Sequence, residues 1–323
     1  QFRGPILYQD AKVMRAIFAV SRKHLRTLGV SSIVFSTFLI GYCLYSSGSG
    51  TDALVPHFDE QKALFYQQST CVHRAIFDLT YEEVWNQFAD LTFRCEQNSK
   101  FNLSVLVPLE NKDEIKYHLL ARDGSKKCVI LSLGVGHDII SEQQLAALQP
   151  QCRFIGADPT VKGNKELYES IGTFHPLAIG NGNKIVESLI INENDFGYHH
   201  ENLTTTEFLH FLQRFVKEDL IDQVFLDAEY AEFELFEYLL TNGPLEDAGI
   251  TICQINIEVH KPNDEQKKTF DSFVRRLLRQ YRYAPFKTMN VAGAGHIRLV
   301  LVNYFHEGCV NRYLHRKDKY LVI

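Results

Sequence analysis

The stretch VILSLGVGHDIISE, Val129 to Glu142, changes character at its middle. An apolar run, CVILSL from Cys128 to Leu133, stops at Gly134 and Gly136, and Asp138 follows before a helix-like start. A strand, a bare turn and a helix form the opening unit of a sheet built from alternating elements. Downstream the unit recurs. RFIGAD (Arg153 to Asp158) reads as a strand and KELYESI as a helix; TFHPLAI reads as a third short strand and KIVESLII (Lys184 to Ile191) as an additional one. TTEFLHFLQRFVKE reads as a helix, with Thr204 and Glu207 at capping-box spacing. QVFLD (Gln223 to Asp227) and TICQINIEV (Thr251 to Val259) read as strands followed by helices, and HIRLVLVN (His296 to Asn303) closes the series. The prediction is an α/β fold with a mostly parallel sheet and helices on both faces.

In such sheets ligands bind at the carboxyl ends of the strands, where strand order reverses. Glycines in the first turn let a ligand approach the backbone. A dinucleotide fingerprint would need a third glycine where Ile139 stands, and no phosphate-binding lysine follows. Asp158 ends the next strand, at the place where an acid meets ribose hydroxyls. A glycine turn and a ribose acid without a pyrophosphate cradle fit a nucleoside cofactor without phosphate, such as S-adenosylmethionine. At the same edge lie Asp227, Glu229 and Glu232 in VFLDAEYAEFELFEYLL, and Glu258 with His260 in INIEVHK. Asp227, Glu229 and His260 are the candidates for taking a proton from an acceptor.

The chain has 323 residues, 45% hydrophobic, with a net charge of −5. The charge is uneven. Arg3, Lys12, Arg15, Arg22, Lys23 and Arg26 face only Asp10 at the start, so the remainder is strongly acidic. That acidity, without a basic patch interleaved with aromatics, points away from nucleic acid. No charged residue lies between Arg26 and Asp52, and Leu28 to Tyr45 is mostly apolar, near the lower limit for a membrane-spanning helix. Basic residues before it place the N-terminus in the cytoplasm. The expected layout is a cytoplasmic tail (1–27), a signal anchor (28–45), an irregular stem (46–70), a small partly helical prelude (71–122) and a catalytic domain (123–323). Met14 opens an ordinary signal-anchor start, so residues 1–13 read as an upstream extension, or the chain as a fragment.

A location in the lumen of the Golgi or endoplasmic reticulum follows as an expectation. Asn102-Leu103-Ser104 and Asn202-Leu203-Thr204 are glycosylation sequons. Beyond the apolar segment stand Cys71, Cys95, Cys128, Cys152, Cys253 and Cys309, an even set suited to an oxidising compartment. Cys71 with Cys95 is the favoured pair; Cys128 and Cys253, in apolar runs, read equally as buried thiols. No CxxC occurs, His199-His200 has no partner at ligand spacing, and no metal site is expected.

Taken together, SLGVGHD, FIGADP, HPLAIGNGN, VFLDAEYAEFELF and IEVH resemble the FkbM-type methyltransferases, over roughly Cys128 to Asn303. The resemblance implies the class I, Rossmann-like methyltransferase fold, a sheet of seven strands with the last antiparallel. It implies methyl transfer from S-adenosylmethionine, typically to a hydroxyl oxygen. Gly134 and Gly136 match the cofactor turn, flanked by Leu133 and Asp138; Asp158 matches the ribose acid; Asp227 and Glu229 match the acidic block beside the methyl group. Ser132 stands where the family commonly has an acid, a place that Asp138 or Glu142 would have to serve. The expected acceptor is a carbohydrate, lipid or small molecule. A luminal glycosyltransferase and a non-catalytic binding protein on the same fold stay open as alternatives. Tyr198, Phe196, Tyr230 and Tyr283 are candidate acceptor-site aromatics, and HENLTTTEF a candidate loop over the entrance.

Overall fold

The computed structural model describes residues 56–98, 106–112, 114–121, 123–124, 126–191, 197–291 and 293–314. Residues 1–27, expected to be a cytoplasmic tail, the apolar segment 28–45 and the Asn102 sequon lie outside them. No helix among the described residues is long and apolar enough to cross a membrane.

Two helices come first, α1 (Pro56–Ala75) and α2 (Tyr81–Gln97). The stretch expected to be an irregular stem through residue 70 is therefore helical from Pro56. Its Phe65 and Val72 are buried, and their apolar surface gives α1 its reason to form. A capping box fixes the start of α2: Glu83 N–H donates to Thr80 Oγ1 and Thr80 N–H donates to the Glu83 carboxylate. A disulfide, Cys71–Cys95, ties α1 to α2. Trp85 and Phe88 of α2 meet Phe270 edge-on, so the prelude shares the core of the catalytic region. Residues 55–323 form one unit. The prelude also holds an antiparallel hairpin, β1 (Leu106–Glu110) and β2 (Ile115–Leu119).

From β3 (Cys128–Leu133) the alternation runs through α3 (Ile140–Leu148), β4 (Cys152–Ala157), α4 (Asn164–Tyr168) and β5 (Thr173–His175). The run TFHPLAI is not one strand. It breaks at Pro176, which has no N–H for a ladder, and resumes as β6 (Ala178–Gly180) in another sheet. There β6 joins β7 (Ile185–Ile191) and β8 (Tyr198–Glu207) in the order β6-β8-β7. β8 corrects two expectations. HENLTTTEF is strand rather than entrance loop, and the next helix, α5 (Phe208–Phe211), is capped by Glu207 accepting from His210 N–H, not by Thr204.

The chain continues through β9 (Leu220–Leu226), α6 (Glu232–Leu235), α7 (Pro244–Asp247), β10 (Thr251–Val259) and α8 (Asp264–Gln280). It ends with β11 (Tyr283–Val291), absent from the sequence reading, β12 (His296–Asn303) and α9 (Glu307–Cys309). The main sheet has seven strands in the order β11-β12-β10-β9-β3-β4-β5. β12 alone runs against its neighbours β10 and β11; the other pairings are parallel. Successive β3 residues enter opposite layers: Val129, Leu131 and Leu133 pack with α2 and α8 side chains, Ile130 with Leu145 and Tyr168. A strand covered on both faces needs apolar residues throughout, which explains the unbroken run CVILSL.

Two cysteines read as possible free thiols are paired. Cys128 opposes Cys152 in the β3–β4 register and bonds to it, and Cys253 bonds to Cys309.

Candidate active site

Strand order reverses between β3 and β9, because β3 leads to β4 on one side and the chain later returns to β9 on the other. The carboxyl ends of these strands form the site. Gly134 has φ of 91° and its N–H donates to Ala157 O, while Asp227 N–H donates to Leu133 O. A Cβ at Gly134 would lie 1.7 Å from Asp227 O. Glycine is thus required there by the neighbouring strand end. Gly136, with φ of 60°, has open space where a Cβ would stand, on the cavity wall. Gly136 is where a ligand can approach the turn.

Asp158 holds that turn. Its Oδ2 accepts from Val135 N–H at 2.7 Å and Gly136 N–H at 3.3 Å, and its Oδ1 accepts from Thr160 N–H at 2.7 Å. A carboxylate has about four acceptor positions, so one remains on Oδ1 for a ribose hydroxyl. Asp138, the other acid of the turn, is spent locally: Oδ1 accepts from Ile140 N–H at the start of α3 and Oδ2 from Lys112 N–H.

The place of the missing acid at Ser132 is filled from elsewhere. Ser132 is buried and donates its hydroxyl to Glu142 Oε1 at 3.1 Å, while Tyr168 OH donates to Ser132 Oγ. The same Glu142 oxygen pairs with Lys116 Nζ at 3.1 Å, and Lys116 also pairs with Glu114 at 3.2 Å. Burial works against the ammonium charge, but Glu142 and Glu114 outweigh it and hold Lys116 protonated. Glu142 is thus the acid that meets Ser132, while Asp138 is the one of the two that lines the cavity. Lys116 and Glu114 lie in the hairpin region before the sheet, and no motif marks them; both line the cavity.

On the other side of the turn, three predicted residues meet. His260 Nε2 lies 3.5 Å from Asp227 Oδ1 and 3.4 Å from Glu229 Oε2. Glu229 and Tyr230 both have positive φ, 41° and 73°, a strained pair of the kind that clusters at functional sites. Glu232, placed at this edge by its position in the sequence, reaches back from α6. Its Oε1 accepts from both the backbone N–H of His260, at 2.8 Å, and the ring Nδ1, at 3.0 Å. Beside them Glu258 pairs with His296 and Arg298. Burial pushes the Asp227 carboxyl up, and Glu258 adds to it, to about 8. Its side chain is still 39% exposed, so water in the cavity moderates that shift. Burial alone would lower His260, but Glu232, Asp227 and Glu229 prevail and raise it to about 9.

Asp227 and Glu229 border a cavity of about 570 Å³, within the usual range for a small-molecule or cofactor site. Leu133, Gly134, Gly136, Asp138, Asp158, Asp227 and Glu229 all line it. Val186, Glu187 and Thr205 of the three-stranded sheet form one wall, and Asn263, Gln266 and Thr269 at the start of α8 another. Of the candidate aromatics, Tyr230 lines the cavity and packs on His260 with ring centroids 5.1 Å apart. Tyr283 belongs to the core, its hydroxyl donating to Ile252 O. Phe196 lies outside the described residues, and Tyr198 opens β8. His199 and His200 pair with Glu201 and Glu187.

A model of the methyltransferase FkbM domain matches residues 80–285. An uncharacterized protein of Caenorhabditis elegans is 26% identical over 107 residues, which is 33% of this chain and 36% of that protein. The chain thus matches about a third of that relative's length. Among solved structures, human N-acetylserotonin methyltransferase in complex with SAM aligns over 80% of this chain and 61% of its own, at 10% identity and a TM-score of 0.24.

Proposed function

Because the chain belongs to the FkbM methyltransferase family, we propose that it transfers a methyl group to a hydroxyl oxygen of a glycan, glycolipid or small molecule in the lumen of the secretory pathway. S-adenosylmethionine is the cofactor of the domain, and membership of the family sets aside the glycosyltransferase alternative. The residues fit this cofactor. Gly136 leaves room at the turn, Asp158 keeps one acceptor position, and Lys116 is, among the described residues, the one lysine or arginine lining the cavity, placed to meet a carboxylate.

The observation that carries oxygen as acceptor is the meeting of Asp227 and Glu229, on the cavity wall, with His260. Methyl transfer needs the acceptor hydroxyl aimed at the methyl group and a route for its proton. Asp227 and Glu229, which line the cavity, are placed to hold the hydroxyl and to take that proton, with His260 as their charged partner.

The luminal reading is supported by the pairing of all six cysteines beyond the apolar segment. A further support is the exposed Asn202 of the second sequon on β8. The anchor at residues 28–45 belongs to the same proposal. Incubation of the full chain with methyl-labelled S-adenosylmethionine and pooled glycans, glycolipids and small hydroxylated metabolites tests it. Label bound through an ether is expected. Label retained on cofactor that binds but is never consumed would favour a non-catalytic role.

A further inference from the structure

Asp227 and Glu229 have unusual company. Neither carboxylate has a hydrogen-bond donor among the described residues except the imidazole of His260. Both line the cavity. His260 is 4% exposed, and its ring cannot turn, because Glu232 Oε1 holds Nδ1 and the backbone N–H of the same residue. Glu232 itself is fully buried. A ring nitrogen pinned by a buried carboxylate leaves the opposite nitrogen, Nε2, aimed between two further carboxylates.

We infer that Asp227, Glu229 and His260 form a binding site for a divalent cation, coordinated through Oδ1, Oε2 and Nε2. The three atoms lie within 4.8 Å of one another. A cation about 2.1 Å from each ligand separates neighbouring ligand atoms by about 3.0 Å at right angles and about 3.4 Å at tetrahedral angles. The measured Nε2 separations of 3.5 and 3.4 Å lie at, or just beyond, the open end of that interval. Glu232 occupies the outer position that fixes a ligating histidine's tautomer and ring plane. The cavity provides the way in and leaves the remaining coordination positions free for other oxygens.

The neighbouring trio, Glu258, His260 and His296, does not qualify in the same way. There Glu258 is already satisfied by His296 at 2.7 Å and by Arg298 at 2.8 Å. The charge around the first trio favours a cation as well. Glu114, Asp227, Glu229, Glu232 and Glu258 converge on this edge, and Lys116 and Arg298 are its permanent positive charges. Two carboxylate oxygens and one imidazole suit manganese, magnesium, iron or zinc rather than a thiolate-seeking metal.

Such an ion has a definite use. Three protein ligands on one side leave adjacent open positions toward the cavity, which suit an acceptor with two neighbouring oxygens, as on a vicinal diol. A hydroxyl bound there gives up its proton more readily. The use rests on the methyltransferase reading; the site itself does not.

The test is titration of the full chain with manganese(II), followed by electron paramagnetic resonance and calorimetry, with S-adenosylmethionine binding measured separately in chelator. One saturable manganese site per chain is expected. Glu229→Gln should weaken it by about tenfold or more, and Glu265→Gln, an acid elsewhere on the cavity wall, should not. If Glu229→Gln fails to fold, Asp227→Asn carries the same expectation. No saturable binding, or binding unmoved by the trio variants, overturns the inference and leaves the trio as an imidazolium held by carboxylates. Manganese bound without cofactor binding upholds the site while removing the methyltransferase reading; cofactor bound without manganese does the reverse.

Discussion

Glu232 grips His260 twice through one oxygen, taking the backbone N–H at 2.8 Å and the ring Nδ1 at 3.0 Å. The contact joins the start of α6 to the end of β10, so the imidazole that meets Asp227 and Glu229 is set by a carboxylate buried behind it. Removing one partner of a buried pair leaves the other unmatched, at a cost of about 3–5 kcal/mol. Glu232→Ala should therefore lower unfolding stability by about 3 kcal/mol, and Glu232→Gln, which keeps an acceptor oxygen, by less. Urea unfolding of both variants measures the difference. Equal losses would show that the carboxylate charge, not its acceptor geometry, holds the ring.

Gly134 and Gly136 look alike in the sequence but should respond differently. Gly134→Ala pushes a methyl into Asp227 O, 1.7 Å from the ideal position, and must displace the end of β9. It should unfold at markedly lower denaturant. Gly136→Ala meets nothing and should lose only the cost of a left-handed residue, about 1–2 kcal/mol, while weakening cofactor binding. Comparable stability of the two variants would contradict the packing described here.

Acid should destabilise the fold through His118. Its Nδ1 faces Gln223 and its Nε2 faces the Gln149 amide, so the neutral ring is satisfied without a charged partner. Burial pushes its pKa down from 6.5 to about 4. Between those values the unfolded chain binds a proton that the folded chain does not, so stability falls as pH falls. The loss approaches roughly 2–3 kcal/mol near pH 4.5. Denaturation across pH 7 to 4.5 checks this, with His118→Asn expected to flatten the slope. An unchanged slope in the variant would assign the acid sensitivity elsewhere.

The Cys71–Cys95 bond closes a loop of 24 residues between α1 and α2. Crosslinks of that span contribute about 3 kcal/mol by restricting the unfolded chain. Cys71→Ser with Cys95→Ser should cost that much in chemical denaturation, and a loss below about 1 kcal/mol would show that α1 and α2 are held by packing alone.

Much of this architecture is legible in the sequence because the physics is local. Strands β3, β9 and β10 are buried on both faces and read as apolar runs; α2 announces its start by Thr80 and Glu83. β8 was hidden because YHHENLTTTE carries little apolar pattern, and its order comes from pairing with β7. β11 was hidden by Pro285, where its register with β12 shifts. At the site, Gly134, Asp158, Asp227 and His260 stand at strand ends, where the alternation itself directs attention. Lys116 and Glu142 do not. Their bond joins a hairpin to a helix 26 residues later, and only the fold shows that Glu142 meets Ser132. Nor could the grip of Glu232 on His260 be read from the sequence, since the two are 28 residues apart.

The central claim is that the glycine turn and its carboxylates form a site for S-adenosylmethionine. Calorimetric titration of the purified protein with S-adenosylmethionine tests it most directly. Saturable binding of one cofactor per chain, weakened in Gly136→Val and in Lys116→Gln, is the predicted result. Absence of binding by a folded wild-type protein, or affinity unchanged in both variants, would contradict it.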